Sequence, residues 1–296
     1  MVEISLTPLA GRFGVVVDSV DLHDVTSDYL FPEMRAAFER HSALLFRGQD
    51  LDQETHMRLA GLFGPIEDRY ADERKKGEAF KVPEVSNMTE NGVTDEMDQH
   101  MLHLKANMLW HADSTFLPVP ALTNILTAKI VTTSGGATEL ASTRAAFADM
   151  TSKRQERLRQ TRLRHRYSHS RAKISPELAK LPMFNKWPDT LWPAVWKNPV
   201  NGSEAVYVAS HAFEVEGVDR AESEIFIDEL VAECTSPEYV YSHNWRVGDV
   251  LIWDQRAVLH RGMPWPYDQP RKLRSICCSV TDADGLQAMR GENGAG

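Results

Sequence analysis

Among the residues that could do chemistry, one pair is marked by its spacing. His111-Ala112-Asp113 is the chain's one His-x-Asp. Imidazole nitrogens and carboxylate oxygens both ligate first-row transition metals. On a strand, side chains two residues apart share a face, so these two could take adjacent positions on one ion. Taken alone the pair is a weak signal, because a chain of this composition yields roughly 0.7 such pairs by chance. An ordinary hydrogen-bonded pair is the competing reading. Other chemistries leave no mark: there is no GxGxxG, GxxxxGKS/T, GxSxG or HExxH, which removes the usual nucleotide-binding, hydrolase and zinc-protease readings. Cys234, Cys277 and Cys278 form neither a CxxC metal pair nor an even disulfide framework, which suits a reducing cytoplasm.

The elements that would position such a site are read from hydrophobic periodicity. The 296 residues are 42% apolar and 25% charged, enough for a sizeable core. Lys and Arg number 33 against 42 Asp and Glu, with no basic block, which argues against nucleic acid or an anionic membrane as partner. The longest apolar runs, at 43–46 and 250–253, fall far short of the ~20 residues that span a bilayer. Glu3 replaces a basic and apolar leader, so a soluble, unexported protein is expected. Residues 4–20 hold the β-branched run Val15, Val16 and Val17. Residues 32–41 read as a helix with Phe31, Met34, Ala37 and Phe38 on one face, and 42–46 as a strand. Asp52 caps a helix that runs to Phe63 and stops at Gly64-Pro65. From 66 to 107 the pattern fades into a charged, Met-rich stretch with one strand at 82–85, the kind of segment that makes a lid or binding loop.

A strand at 122–131, a turn at Gly135-Gly136 and a helix from Ser142 to Met150 follow. Residues 153–171 are dense in Arg and Lys and read as a solvated helix face followed by an edge strand. Asn201-Gly202 marks a hairpin between 192–197 and 205–209. A helix at 219–234 and strands near 239–243, 249–254 and 273–280 close the chain. Many short strands that do not alternate regularly with helices predict a mostly β protein with flanking helices, an antiparallel sandwich or jelly roll. One domain over 1–296 is expected, with a lid at 66–107 and an insertion at about 150–203.

Context raises the weight of the His-x-Asp pair. Trp110 to Phe116 is followed by Gly135-Gly136-Ala137-Thr138-Glu139, then by Trp253-Asp254-Gln255-Arg256, Leu259-His260-Arg261-Gly262 and Arg271. Leu44 to Gln49 and Leu62-Phe63-Gly64-Pro65 fit as well. This combination resembles the taurine dioxygenase and 2,4-dichlorophenoxyacetate dioxygenase family of iron(II)- and 2-oxoglutarate-dependent oxygenases over nearly the whole chain. Ser86-Asn87, the run 107–115 and Arg144-Ala145-Ala146 look more like its aryloxyalkanoate branch.

The resemblance implies a double-stranded β-helix (jelly roll) with His111, Asp113 and His260 as iron(II) ligands, leaving three positions for 2-oxoglutarate and O₂. It implies that Arg271, 11 residues after His260, pairs with the distal carboxylate of 2-oxoglutarate, and that the Thr138 hydroxyl adds a hydrogen bond. The implied reaction is hydroxylation of a C–H bond in a small organic acid, most simply an aryloxyalkanoate-like carboxylate. A taurine-type alkylsulfonate is the alternative, and a non-catalytic cupin-like ligand-binding protein the rival from another class; a homo-oligomer is left open. The family commonly carries an Arg 15 residues after the second metal His to hold the substrate's acid, but here that residue is Ser275. Arg274, one residue earlier, points to the opposite face of a strand and stays a candidate anchor that reaches the pocket only where a bulge intervenes. The substrate anchor is therefore sought at Asn107 and among the lysines of 66–107, with Lys81 and Lys105 ahead of Lys75 and Lys76. His103, His165, His169, His211 and His243 lack metal-ligand spacing and read as structural or pocket-lining, and Trp253 as core.

Overall fold

Ala43–Phe46 is apolar and buried at every position, which requires cover on both faces of the strand. It lies within a seven-stranded sheet of order Ser5–Pro8, Val15–Asp18, Ala43–Phe46, Val250–Asp254, Ala121–Ile130, Lys272–Ser279, Glu84–Ser86. Pairing is antiparallel except between Val15–Asp18 and Ala43–Phe46. The computed structural model describes residues 4–90, 92–96 and 98–291, so residues 1–3, 91, 97 and 292–296 of the expected domain and lid lie outside the described residues.

Helices Phe31–His41 and Gln53–Phe63 cover one face of this sheet, where Phe38, Leu44, Phe46, Leu59 and Ile252 share one core. Asp52 caps the second helix by accepting from the Thr55 amide at 2.7 Å, in line with the sequence. Alternate residues of the same strands, Leu45, Leu126, Leu251 and Trp253, face the other way. They meet Leu140 and Val258 of a three-stranded antiparallel sheet of order Val240–His243, Thr138–Ser142, Val258–Gly262. Two facing sheets of this kind make the expected double-stranded β-helix. Helices Thr143–Asp149 and Arg220–Cys234 cover the outer face of the small sheet through Phe147, Ile227 and Leu230 packed on Ala141 and Leu259.

Several local expectations need correction. The strand expected at 82–85 is Glu84–Ser86. The Asn201-Gly202 turn is wider than two residues, since Lys197 pairs with Glu204 and only Val195–Lys197 and Glu204–Val206 form the ladder. The reason is that Asn198 and Asn201 spend their amides on Glu39 rather than on a tight turn. Trp192 belongs instead to Thr190–Pro193, in a second three-stranded sheet of order Thr190–Pro193, Arg162–His165, Ala212–Val215. Arg162–His165 is thus a central strand and not an edge. Its arginines stay outside by pairing with acids, Arg164 with Glu214 and Arg162 with Glu216. No helix among the described residues is long and apolar enough to cross a membrane.

Candidate active site

His111 and His260 face each other across an isolated antiparallel bridge, with His111 N to His260 O at 3.0 Å and the reverse bond at 2.8 Å. The bridge brings residues from distant parts of the sequence together, with ring centroids 4.1 Å apart. Asp113 does not share a continuous strand with His111, contrary to the expectation from their spacing. The chain leaves the bridge after His111 and turns, and the Asp113 amide is held by Gln255 Oε1 at 3.0 Å. The turn still aims the carboxylate at both rings, with Oδ1 3.8 Å from His111 Nε2 and Oδ2 3.6 Å from His260 Nε2. One donor atom from each residue lies within 4.8 Å of the others, so the three could hold a metal ion.

The protonation states fit that use. Burial is the main cause that pushes His111 down and His260 down to about 3, so both rings are neutral near pH 7. The His111 Nδ1–H donates to the Leu109 carbonyl at 2.7 Å, leaving the Nε2 lone pair toward Asp113. Burial opposes ionisation of Asp113, but the His260 and His111 rings, protonated in the acid range where this carboxyl titrates, together with Arg69 and the Asn124 amide outweigh it and hold the carboxyl well below the usual range. Its Oδ2 accepts from Asn124 Nδ2 at 2.9 Å and Gln255 Nε2 at 2.6 Å, so the carboxylate is oriented before any metal arrives. Two neutral imidazoles and one carboxylate match the donor set of non-haem iron(II) sites.

Around this triad lies a cavity of about 440 Å³. Arg271 enters it from the start of the Lys272–Ser279 strand, only 5% exposed. Its Nη2 donates to the Gly136 carbonyl at 2.9 Å, its guanidinium lies over Trp265, and no acidic side chain pairs with it among the described residues. Burial pulls its pKa down to about 10. Gly136 has φ +69°, and a Cβ there would stand 3.0 Å from Arg271 Nε, so the glycine is what lets the guanidinium sit against this turn. Thr138 lines the same cavity, its hydroxyl oxygen accepting from Trp245 Nε1 at 3.0 Å. The pair thus offers one unmatched cation and one hydroxyl whose proton is still free to donate.

The expected substrate anchors fare differently. Asn107 borders the cavity on the Ala106–Met108 turn. Lys81 stands at the mouth with its side chain 85% exposed. Lys105 is tied to Glu96 at 2.9 Å, and Lys75 and Lys76 are exposed. Ser275 faces the cavity while Arg274, on the other side of the strand, pairs with Glu84 at 3.4 Å. The cavity's other cations are arginines that sequence reasoning passes over. Arg69 is bonded to Glu67 and donates to Ser114 Oγ at 2.8 Å. Arg171, expected on a solvated face, is 5% exposed and lines the cavity. His103 and His211 line it too, as two of the histidines given a pocket-lining reading. Nothing in local spacing distinguishes Arg171 from the arginines before it.

Comparison with known proteins agrees with this geometry. The chain is 32% identical over 276 residues to an alpha-ketoglutarate-dependent 2,4-dichlorophenoxyacetate dioxygenase of Cupriavidus pinatubonensis, covering 92% of this chain and 96% of the relative. It is 31% identical over 275 residues to an (S)-phenoxypropionate/alpha-ketoglutarate-dioxygenase of Sphingobium herbicidovorans, covering 90% and 91%. The crystal structure of AAD-2 in complex with Mn(II) and N-oxalylglycine superposes with a TM-score of 0.85 at 27% identity, covering 95% of this chain and 98% of that one. The family described as taurine catabolism dioxygenase TauD, TfdA matches residues 5–277, and the chain belongs to that family.

Proposed function

We propose that this dioxygenase uses iron(II), O₂ and 2-oxoglutarate to hydroxylate a small carboxylic acid of the aryloxyalkanoate kind. His111, Asp113 and His260 would hold the metal, which when bound supplies the redox chemistry that couples oxygen reduction to substrate oxidation. Arg271 neutralises the distal carboxylate of the co-substrate through its guanidinium fork. Thr138, its oxygen already engaged by Trp245, directs its hydroxyl proton to the same carboxylate. Trp265 over Arg271, with Leu126 and Leu273 along the wall, keeps water from that pair. The segment 66–107, which supplies Arg69, Phe80, Leu104 and Asn107 to the cavity wall, orders over the bound acid. If the oxidised carbon bears the ether oxygen, the hemiacetal formed collapses to a phenol and a 2-oxo acid. The free thiols, Cys277 beside Asp113 among them, accord with work in the cytoplasm.

The observation that carries the reading is Arg271: a buried guanidinium without an acidic partner among the described residues, in the same cavity as a triad of two neutral imidazoles and a carboxylate, is costly unless an anionic ligand completes it. The likeness to dioxygenases named for phenoxyacetate and phenoxypropionate supports the substrate class. The test is a panel of aryloxyalkanoates, alkylsulfonates and alkyl sulfates screened for succinate formation from 2-oxoglutarate. Turnover confined to the aryloxyalkanoates is expected, and turnover confined to the sulfonates would overturn the choice of substrate.

A further inference from the structure

Where the resemblance implies a cation 15 residues after His260 this chain has Ser275, and the lysines of 66–107 are exposed or, for Lys105, tied to Glu96. A second buried guanidinium does have the properties that an acid anchor needs. Arg171 Nη1 donates to Ser170 Oγ at 2.8 Å and Nη2 to the Tyr167 hydroxyl at 3.2 Å, both neutral groups. Its Nε has no partner, and no acidic side chain pairs with it among the described residues. The other arginines on this wall are already matched, Arg69 by Glu67 and Arg74 by Asp68.

We infer that Arg171 receives the carboxylate of the substrate, an assignment that rests on the proposed function and names the residue that gives the site its preference for acids. The guanidinium carbon lies over the Tyr167 ring, 4.4 Å from its centroid, and Tyr167 in turn stacks on Phe116 at 3.8 Å. That stack fixes the fork and leaves its polar edge for a ligand. His211, 2% exposed, and His103 border the same cavity, and Nδ1 of each lacks a partner among the described residues, which leaves two further polar atoms to complete the anion's shell. Charge accounting agrees. A divalent metal, Asp113, Arg271 and Arg171, with Arg69 cancelled by Glu67, leave three positive charges in excess. A dianionic co-substrate and one substrate carboxylate neutralise them.

The assignment is tested by titrating phenoxyacetate, and its neutral amide phenoxyacetamide as control, into the anaerobic iron(II)–2-oxoglutarate complex while following the weak visible band of the ferrous 2-oxo acid. Arg171→Gln is expected to weaken phenoxyacetate binding about 30-fold or more, as for removing one partner of a desolvated charge pair. Binding of the amide, the affinity for 2-oxoglutarate and the thermal midpoint should stay near those of the wild type, and Arg274→Gln should change nothing. Acid binding that is unchanged in Arg171→Gln would overturn the anchor and leave the proposed function standing. A wild type that forms the 2-oxoglutarate complex but binds no aryloxyalkanoate would overturn that function and the anchor with it. Should Arg171→Gln fail to fold, Arg171→Lys decides. It keeps the charge but not the fork, so the preference for acid over amide should shrink, and an undiminished preference overturns the assignment.

Discussion

Asp113 is the sole anion of the proposed metal triad, and its orientation is inherited from Asn124 and Gln255. Asp113→Ala is expected to lose iron and turnover together, whereas Gln255→Ala, which removes only an orienting bond, should cost ~10- to 100-fold in metal affinity. Metal content by elemental analysis beside steady-state rates checks both, and an Asp113→Ala protein with full iron and activity would refute the triad. Arg271→Gln should raise the KM for 2-oxoglutarate by an amount worth roughly 2 to 5 kcal/mol while leaving substrate affinity alone. Damage confined to the substrate KM would contradict that role. At this scale the sequence is informative wherever function is written in short spacing. His111 and Asp113 are two residues apart, and Arg271 follows His260 by a fixed interval. Arg171 is not legible in that way, because its burial depends on Tyr167, Phe116 and Phe184 meeting in space.

Strand alternation decides against Arg274, which the sequence leaves as a candidate anchor: a period of two sends Leu273, Ser275 and Cys277 toward the cavity and Arg274 away from it. The same local rules fail for Asn201-Gly202, whose flanking asparagine is recruited by Glu39, and for Arg162–His165, whose central place depends on two other strands. Short strands such as Thr138–Ser142 and Val258–Gly262 also escape them. Both include charged residues, and Arg261 and Glu139 satisfy each other across the pair at 2.7 Å. The segment 66–107 is pinned to the 150–203 region by Lys186, which bonds Asp72 at 2.7 Å, Glu73 at 2.8 Å and the Arg69 carbonyl at 3.2 Å. These contacts are exposed and individually weak. Proteolytic cleavage within 66–107 should therefore be slowed by iron, 2-oxoglutarate and substrate together under anaerobic conditions. Equal cleavage with and without a substrate that turns over would show that the segment does not close.

Across the whole molecule, Arg256 ties the early helix to the end of the chain. It donates to Glu39 at 2.7 Å, to Asp254 at 2.8 Å and to the Asp284 carbonyl at 3.3 Å, all of them buried. Arg256→Met, which takes one of two arginine partners from each of two buried carboxylates while Arg35 stays with Glu39 and Arg144 with Asp254, should cost ~1 to 3 kcal/mol in a denaturation experiment. A loss below ~1 kcal/mol would contradict it. Burial also pushes His56 down to about 4 and His165 down to about 3, against 6.5 when unfolded. The unfolded chain thus takes up protons that the folded one refuses as pH falls below about 6.5, so stability of the metal-free protein should drop steadily toward pH 4 and be flat above 7. A urea midpoint independent of pH over that range would refute this. The central claim, that one cavity couples 2-oxoglutarate to oxidation of an aryloxyalkanoate, is tested most directly by quantifying succinate and phenol from the iron(II)-loaded enzyme given 2-oxoglutarate, O₂ and phenoxyacetate. Equal amounts of the two are expected, with both abolished when 2-oxoglutarate is omitted. Phenol released without 2-oxoglutarate, or succinate formed without phenol, would contradict it.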